Sequence, residues 1–341
     1  MSSLPSTETK VDPRSPAERI RVSVAKFIAH PTTTMLLVLL GIVVVFSVLS
    51  PSAFPTADNA RNLAADAAIL LVLSVGATFV IITAGIDLAV GSVLVFSAVV
   101  GAKAMERVGG QSIGTMFVGL VAALVAGAAW GVLNGTLVAK LKIPSFVVTL
   151  GSFGAAYGLA LIITNGVDVR SVPFRLVDFG NGRLFGIPEI ALVALVVTVV
   201  FGVVLSKTRF GRHTYAVGSN EESARRAGIN VDRQLIWVYT IAGLLAGLGG
   251  FLSLARFGTT TVAGHTTDNL QVITAVVIGG TSLFGGAGRM LGTAVGVFIP
   301  IVLANGFIVL GVVPFWQYVA VGAVLVLAVY LDQRRRARRL G

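Results

Sequence analysis

Polar and apolar positions along this chain fall into long blocks. Apolar runs occupy residues near 34–50, 65–84, 88–104, 113–139, 143–164, 188–206, 234–255, 269–282, 290–310 and 315–331. A helix needs about 20 apolar residues to cross the hydrocarbon core. The pattern predicts an all-α polytopic membrane protein of about ten transmembrane helices, with the eighth short and the second and third nearly continuous. Basic residues sit in alternate connections: Lys140 and Lys142, the segment 207–233, Arg289 and the terminal "RRRARR". Cytoplasmic loops carry such an excess. An even number of spans then places both termini in the cytoplasm, with 1–32 a disordered basic tail, 33–332 the membrane domain and 333–341 a second basic tail. The terminal arginines Arg334, Arg335, Arg336, Arg338 and Arg339 read as an orientation anchor, with anionic lipid as a possible ligand.

One polar block stands apart. Lys207 to Arg233 holds nine of the chain's 26 basic and 15 acidic side chains, between two apolar runs long enough to span. Within "SNEESARRAG", Ser219 and Glu222 have capping-box spacing. Glu221 and Glu222 lie at the positive end of a helix dipole, Arg225 and Arg226 near its negative end, and Gly228 stands where a left-handed C-cap is wanted. The segment predicts a helix of about two turns. A helix so short is marginal in water, so it is expected to dock. A lipid surface is one destination, but Ala224, Ala227 and Ile229 offer little apolar face. A groove on a soluble partner is the other.

Three more stretches interrupt the apolar pattern. In "TAGIDLAVGS", Thr83 to Ser92, Asp87 shares the interval between Arg61 and Lys103 with Asp66 as the only other charge. It is expected either to cap the helix that follows or to serve a gate or solute path, as ionisable groups in membranes do. The glycines of "VVIGGTSLFGGAGRMLGT", Val276 to Thr293, predict a short helix, a tight return and another helix. Such irregular backbone at membrane depth needs cover from protein or a cavity to line; interrupted helices recur in transport pathways. In "KLKIPSFVVTLGSF", Pro144 starts a helix behind two lysines.

Composition narrows the classes. Hydrophobic residues make up 55% and charged residues 12%, at a mean hydropathy of +0.90. Soluble domains carry about 25% charged residues, so an aqueous globule is excluded. The net charge of +11 is topological in its distribution, which argues against nucleic acid as a partner. The 40 glycines suit close helix packing. Cysteine is absent, removing disulfides and thiolate sites. His30, His213 and His265 fall in a tail, the polar block and an outer loop, without metal-ligand spacing. No nucleophile–base set appears, so an enzyme is not expected. No G-x-x-x-x-G-K-[ST] occurs, so ATP is not bound that way. Acids in pairs or relays, typical of ion-coupled carriers, are missing too.

"FVIITAGIDLAVGS", "GVLNGTLVAKLKIPSFVVTLGS", "GRHTYAVGSNEESARRAGI", "AVVIGGTSLFGGAGRMLGT" and "NGFIVLGV" follow one another in this order. Together they resemble the permease subunits of bacterial ABC sugar importers, the ribose/xylose branch, from about residue 60 to Asp332. That resemblance implies a bacterial inner-membrane protein that pairs with a second permease copy or homologue, ATP-binding subunits and an extracytoplasmic sugar-binding protein. ATP and Mg would be bound by the partner subunit, leaving this chain without cofactor. It also makes the polar block a cytoplasmic coupling helix, with Ser219, Glu221, Glu222, Arg225, Arg226 and Gly228 at the contact. Asp87, Thr83, Asn134, Thr149, Asn269, Gln271 and Asn305 are the residues expected in the solute path or gate, each with an interhelical hydrogen bond as the plainer alternative. Many relatives read "ELDAIAAVVIGGTSL" where this chain has "NLQVITAVVIGGTSL", so Asn269 and Gln271 replace two carboxylates. The open alternatives are an ion-coupled carrier using Asp87, or the same architecture carrying a nucleoside, an autoinducer or a branched-chain amino acid.

Overall fold

The computed structural model describes residues 31–313 and, beyond them, 316, 319–323, 326, 327, 329, 330 and 333. The expected tail at 1–32 and the basic tail at 333–341 lie almost wholly outside the described residues. The helices are α1 (Pro31–Leu49), α2 (Ala57–Ile82), α3 (Val90–Val108), α4 (Ile113–Ala139), α5 (Ser145–Thr164), α6 (Phe174–Asn181), α7 (Glu189–Lys207), α8 (Arg209–Ser219), α9 (Glu221–Arg226), α10 (Val231–Phe257), α11 (Asp268–Ile278) and α12 (Met290–Val309). A two-residue hairpin, β1 (Arg183–Leu184) and β2 (Ile187–Pro188), pairs antiparallel between α6 and α7.

Six of these helices are long and apolar enough to cross a membrane: α2, α4, α5, α7, α10 and α12. The protein is therefore a multi-pass, all-α membrane protein. The remaining expected spans divide three ways. α1 and α3 lie on the predicted runs, α11 has only 11 residues, and the described residues of the last run are helical.

α2 is the axis, with every residue from Ala67 to Ile82 buried. α10, α7, α12 and α11 surround it, α4 lies along α10, and α5 against α3. α4 and α10 meet through glycine: a Cβ on Gly127 would stand 2.2 Å from Gly243 O, so backbone touches backbone. Small residues allow this approach, which drives helix association where lipid is as apolar as leucine. The outer helices turn Phe117, Val125, Ile162, Leu195 and Val196 outwards. α1 joins the bundle at α12, where the Phe46 ring lies tilted against Phe54 at 5.4 Å and edge-on to Phe307 at 6.1 Å.

Candidate functional site

The polar segment folds as two short helices bolted to one end of the bundle. Thr208 caps α8 by accepting from Gly211 N at 3.3 Å. Gln234 Nε2 donates to Phe210 O and Thr214 Oγ1, fastening α8 to α10. Tyr215 Oη donates to Gly288 O at 2.8 Å, and Gly286 N donates to Ile82 O at the same distance. Burial pushes the Tyr215 phenol above its ordinary value, against the opposing pull of Arg289. Gly218 closes the joint, since a Cβ there would lie 1.7 Å from Ile82 O. The end of α2, the glycine turn 279–289 and α8 thus form one block.

α9 projects from it, and its start differs from the sequence expectation. Ser219 does not cap α9. Its Oγ donates to Tyr215 O at 2.8 Å inside the preceding helix, and Asn220 takes the cap, Oδ1 accepting from Ser223 N at 2.8 Å. Asn220 is extended (φ −163°, ψ 107°), so the break between helices falls one residue later. With Ser219 helical, Glu222 has no cap amide to reach and pairs with Arg226 instead. The far end is as expected: Gly228 has φ 82° and Ile229 N donates back to Ala224 O at 3.0 Å.

A single side chain of α9 is buried. Ala224 is buried among Ala139, Val217, Val231 and Leu235, while Glu221, Glu222, Ser223, Arg225 and Arg226 are exposed. Arg225 bridges Asp232 and Glu221, and Lys142 reaches Asp232 at 2.9 Å. Those carboxylates hold the Arg225 guanidinium above its already high value. α9 is a charged knob whose rear is fixed and whose front is free.

The expected path residues separate into groups. Asn305 and Asn59 exchange amide hydrogen bonds at 2.9 and 3.0 Å between α12 and α2, on their own. Asn134 and Ser152 join α4 to α5. Thr83 donates to Val80 O, closing α2. Thr149 Oγ1 donates to Ile86 O and to Ser145 O, and Ser145 Oγ accepts from Ile86 N, so the start of α5 grips the interruption after α2. Asp87 is buried and does not cap α3. Ala89 holds the cap position without a side-chain bond, and Asp87 Oδ1 accepts from Ala89 N at 2.8 Å, bracing the interruption itself. Asn269 Nδ2 reaches Leu88 O at 3.3 Å, while Gln271 lies partly buried further along α11.

α11 is about 16 Å long at 1.5 Å per residue, roughly half the about 30 Å hydrocarbon core. Its first turn abuts the first turn of α3: a Cβ on Gly91 would fall 2.6 Å from His265 O. The end of the interruption 258–267 therefore packs on the start of α3, and the start of α11 on the end of the interruption 83–89.

The connection 258–267 carries His265, whose side chain is buried, with Nε2 at 2.8 Å from Ser253 Oγ and Nδ1 at 2.7 Å from Asp268 Oδ2. A Ser–His–Asp chain thus exists where none was visible in the sequence. Ser253 has no exposed surface, so no substrate reaches it, and the chain fastens 258–267 to α10. The three residues lie 12 and 3 positions apart, and only the re-entrant turn brings them together. The buried Thr78–Thr293 bond at 2.8 Å between α2 and α12 was equally hidden. Among the described residues no three His, Cys, Asp or Glu side chains gather as a metal site would need.

The family described as "Branched-chain amino acid transport system / permease component" matches residues 59–329. The chain is 38% identical over 305 residues to the ribose import permease protein of Escherichia coli K12, covering 88% of this chain and 93% of that protein. It is 34% identical over 315 residues to the fructose import permease protein of Rhizobium meliloti (89% and 86%) and 33% over 292 residues to the D-allose transport system permease protein of Escherichia coli K12 (86% and 88%). No solved structure matches the chain.

Proposed function

Because this chain belongs to the branched-chain amino acid transport system / permease component family, we propose that it is the membrane-spanning subunit of an ABC importer for a monosaccharide. It sits in the bacterial inner membrane with 207–233 in the cytoplasm. The relatives named for ribose, fructose and D-allose support the solute class. The carrying observation is the knob. α9 is capped at both ends, anchored by Ala224 and the Arg225–Asp232–Lys142 ion pairs, and exposes Glu221, Glu222, Arg225 and Arg226.

In this reading α9 enters a groove on an ATP-binding subunit, which holds ATP and Mg. Closure of two such subunits moves the knob, and α8 is bonded to the end of α2 and to the turn 279–289. Motion of the knob is therefore passed to α2 and α12 as a rigid displacement. Both border the interruptions around Asp87 and Asn269, where the path would open alternately to each side. A second permease copy or homologue and an extracytoplasmic sugar-binding protein complete the assembly.

The test is a pull-down of the tagged chain from native membranes, wild type beside Glu222→Arg. The ATP-binding subunit accompanies the wild type and is lost from the variant, while both insert equally. Equal recovery of the subunit with both proteins would remove α9 from the contact. Uptake that survives loss of the ATP-binding subunit and collapses with an uncoupler would replace the importer by an ion-coupled carrier.

A further inference from the structure

Where α7 turns into α8, three cations stand at the foot of an outward-facing apolar stripe. Val196, Val200 and Val203 of α7 are each at least half exposed. They fall at i, i+4 and i+7 on one face of the helix, and Lys207 at i+11 continues that line about 16 Å from Val196. The chain then doubles back at once. Thr208 Oγ1 donates to Val204 O, and a Cβ on Gly211 would lie 1.9 Å from Leu205 O. The first turn of α8 thus lies against the last turn of α7.

α8 has two faces. Gly211, Thr214, Val217 and Gly218 are buried against the bundle, while Arg209 and Arg212 are exposed on the other side. Three residues apart, these two stand about 4.5 Å from each other along the axis, next to Lys207. No acidic residue occurs from 190 to 220, and among the described residues none of the three cations has a carboxylate within 4.0 Å. The knob differs, since both its arginines are paired with carboxylates. Depth is given by α10: Gln234, bonded to Phe210 O, lies about one turn before the half-exposed Trp237. Tryptophan gathers at the membrane–water boundary, which puts the start of α8 at headgroup level.

We propose that this corner binds an anionic phospholipid of the cytoplasmic leaflet, its phosphate held by Lys207, Arg209 and Arg212 and an acyl chain lying along Val203, Val200 and Val196. A free phosphate would satisfy the cations but leave the stripe above them unused. A zwitterionic headgroup brings a cation of its own and matches the charge less well. Orientation in the membrane needs only basic residues in the loop, not their alignment beneath an apolar stripe. Because α8 is bonded to the turn 279–289 through Tyr215, the bound lipid holds the base of the knob at a fixed height against the membrane. The choice of leaflet rests on the cytoplasmic placement of 207–233 proposed above; the binding does not.

The probe is phosphatidylglycerol with a photoactivatable group in its acyl chain, mixed at rising mole fraction into phosphatidylcholine nanodiscs that hold the full chain. Adducts mapped by peptide mass spectrometry concentrate on 196–203 and saturate. Unlabelled phosphatidylglycerol competes; phosphatidylcholine and inorganic phosphate do not. Lys207→Gln, Arg209→Gln and Arg212→Gln each raise the half-saturating fraction about fivefold, and the triple variant no longer saturates. Lys207→Arg, which keeps the charge, labels like the wild type. If the triple variant does not elute as a single species, the three single variants carry the test. Labelling spread evenly over α4, α5 and α7, or unchanged by the glutamine substitutions, overturns the site. Competition by inorganic phosphate as strong as by phosphatidylglycerol makes it a phosphate site and overturns the lipid. Unchanged labelling together with loss of the ATP-binding subunit from the triple variant in the pull-down assigns the cations to a protein contact instead. Saturable labelling of 196–203, with no ATP-binding subunit recovered by the wild type, sinks the importer reading and leaves the lipid site standing.

Discussion

The knob at 219–228 and the interrupted core around 83–89 and 258–267 are both polar breaks in an apolar chain, and they are built in opposite ways. In the knob, the charged side chains face outwards, and the Asn220 side-chain cap and the left-handed Gly228 hold the shape. Its ion pairs are exposed, and such pairs contribute little to stability. In the core, side chains turn inwards: Asp87 to Ala89 N, Thr149 to Ile86 O, Asn269 to Leu88 O, His265 to Ser253 and Asp268. There an unmet polar group has no water to fall back on. The knob is thus specified by what it leaves free, and the core by what it satisfies.

The joint between the two regions is the most sensitive point. Gly218→Val would drive a side chain into Ile82 O, where even a Cβ lies at 1.7 Å. Backbone cannot yield as a flexible side chain does, and overpacking costs about 1–3 kcal/mol or more. Loss of monodisperse protein on size exclusion is expected, and a variant that melts like the wild type would show the joint to be loose. Ala224→Asp comes next. It places a charge among Ala139, Val217, Val231 and Leu235 and should release α9 while the bundle keeps its melting temperature. Limited proteolysis would cut 219–230 in the variant alone, and uptake would be lost.

Two smaller effects test the core. Asp87→Leu leaves Ala89 N without its acceptor, at a cost of about 1–3 kcal/mol in thermal melts. Asp87→Asn keeps an acceptor oxygen and should keep both stability and uptake. Full loss of uptake in Asp87→Asn would show that the charge itself matters and would favour ion coupling. Asn134→Ala removes the bond to Ser152 and should cost only about 0.6 kcal/mol, the average for interhelical bonds in a membrane. A much larger loss would place Asn134 in the solute path.

Legibility followed the range of the interactions. The apolar runs locate α2, α4, α5, α7, α10 and α12 because length and hydropathy along one stretch suffice. Pro144 marks the start of α5, and the glycines of 279–289 mark the return between α11 and α12, for equally local reasons. The Ser219 capping box failed by one residue, because Ser and Asn both cap helices and α8 continues through Ser219 to bond Tyr215. Asn305, singled out as a path residue, has its amide met by Asn59, 246 residues away in sequence. Nothing near either residue announces that pairing.

The sequence by itself determined that this is a membrane bundle, where its helices break, and that a short, capped, charged helix stands between two spans. Periodicity, capping and hydropathy are properties of neighbouring residues, and a linear reading contains them. Only the tertiary structure decided that Asp87 braces an interruption, that His265 is buried between Ser253 and Asp268, and that α8 folds back on the last turn of α7. Those outcomes depend on which helices touch and at what height, which packing across the bundle sets.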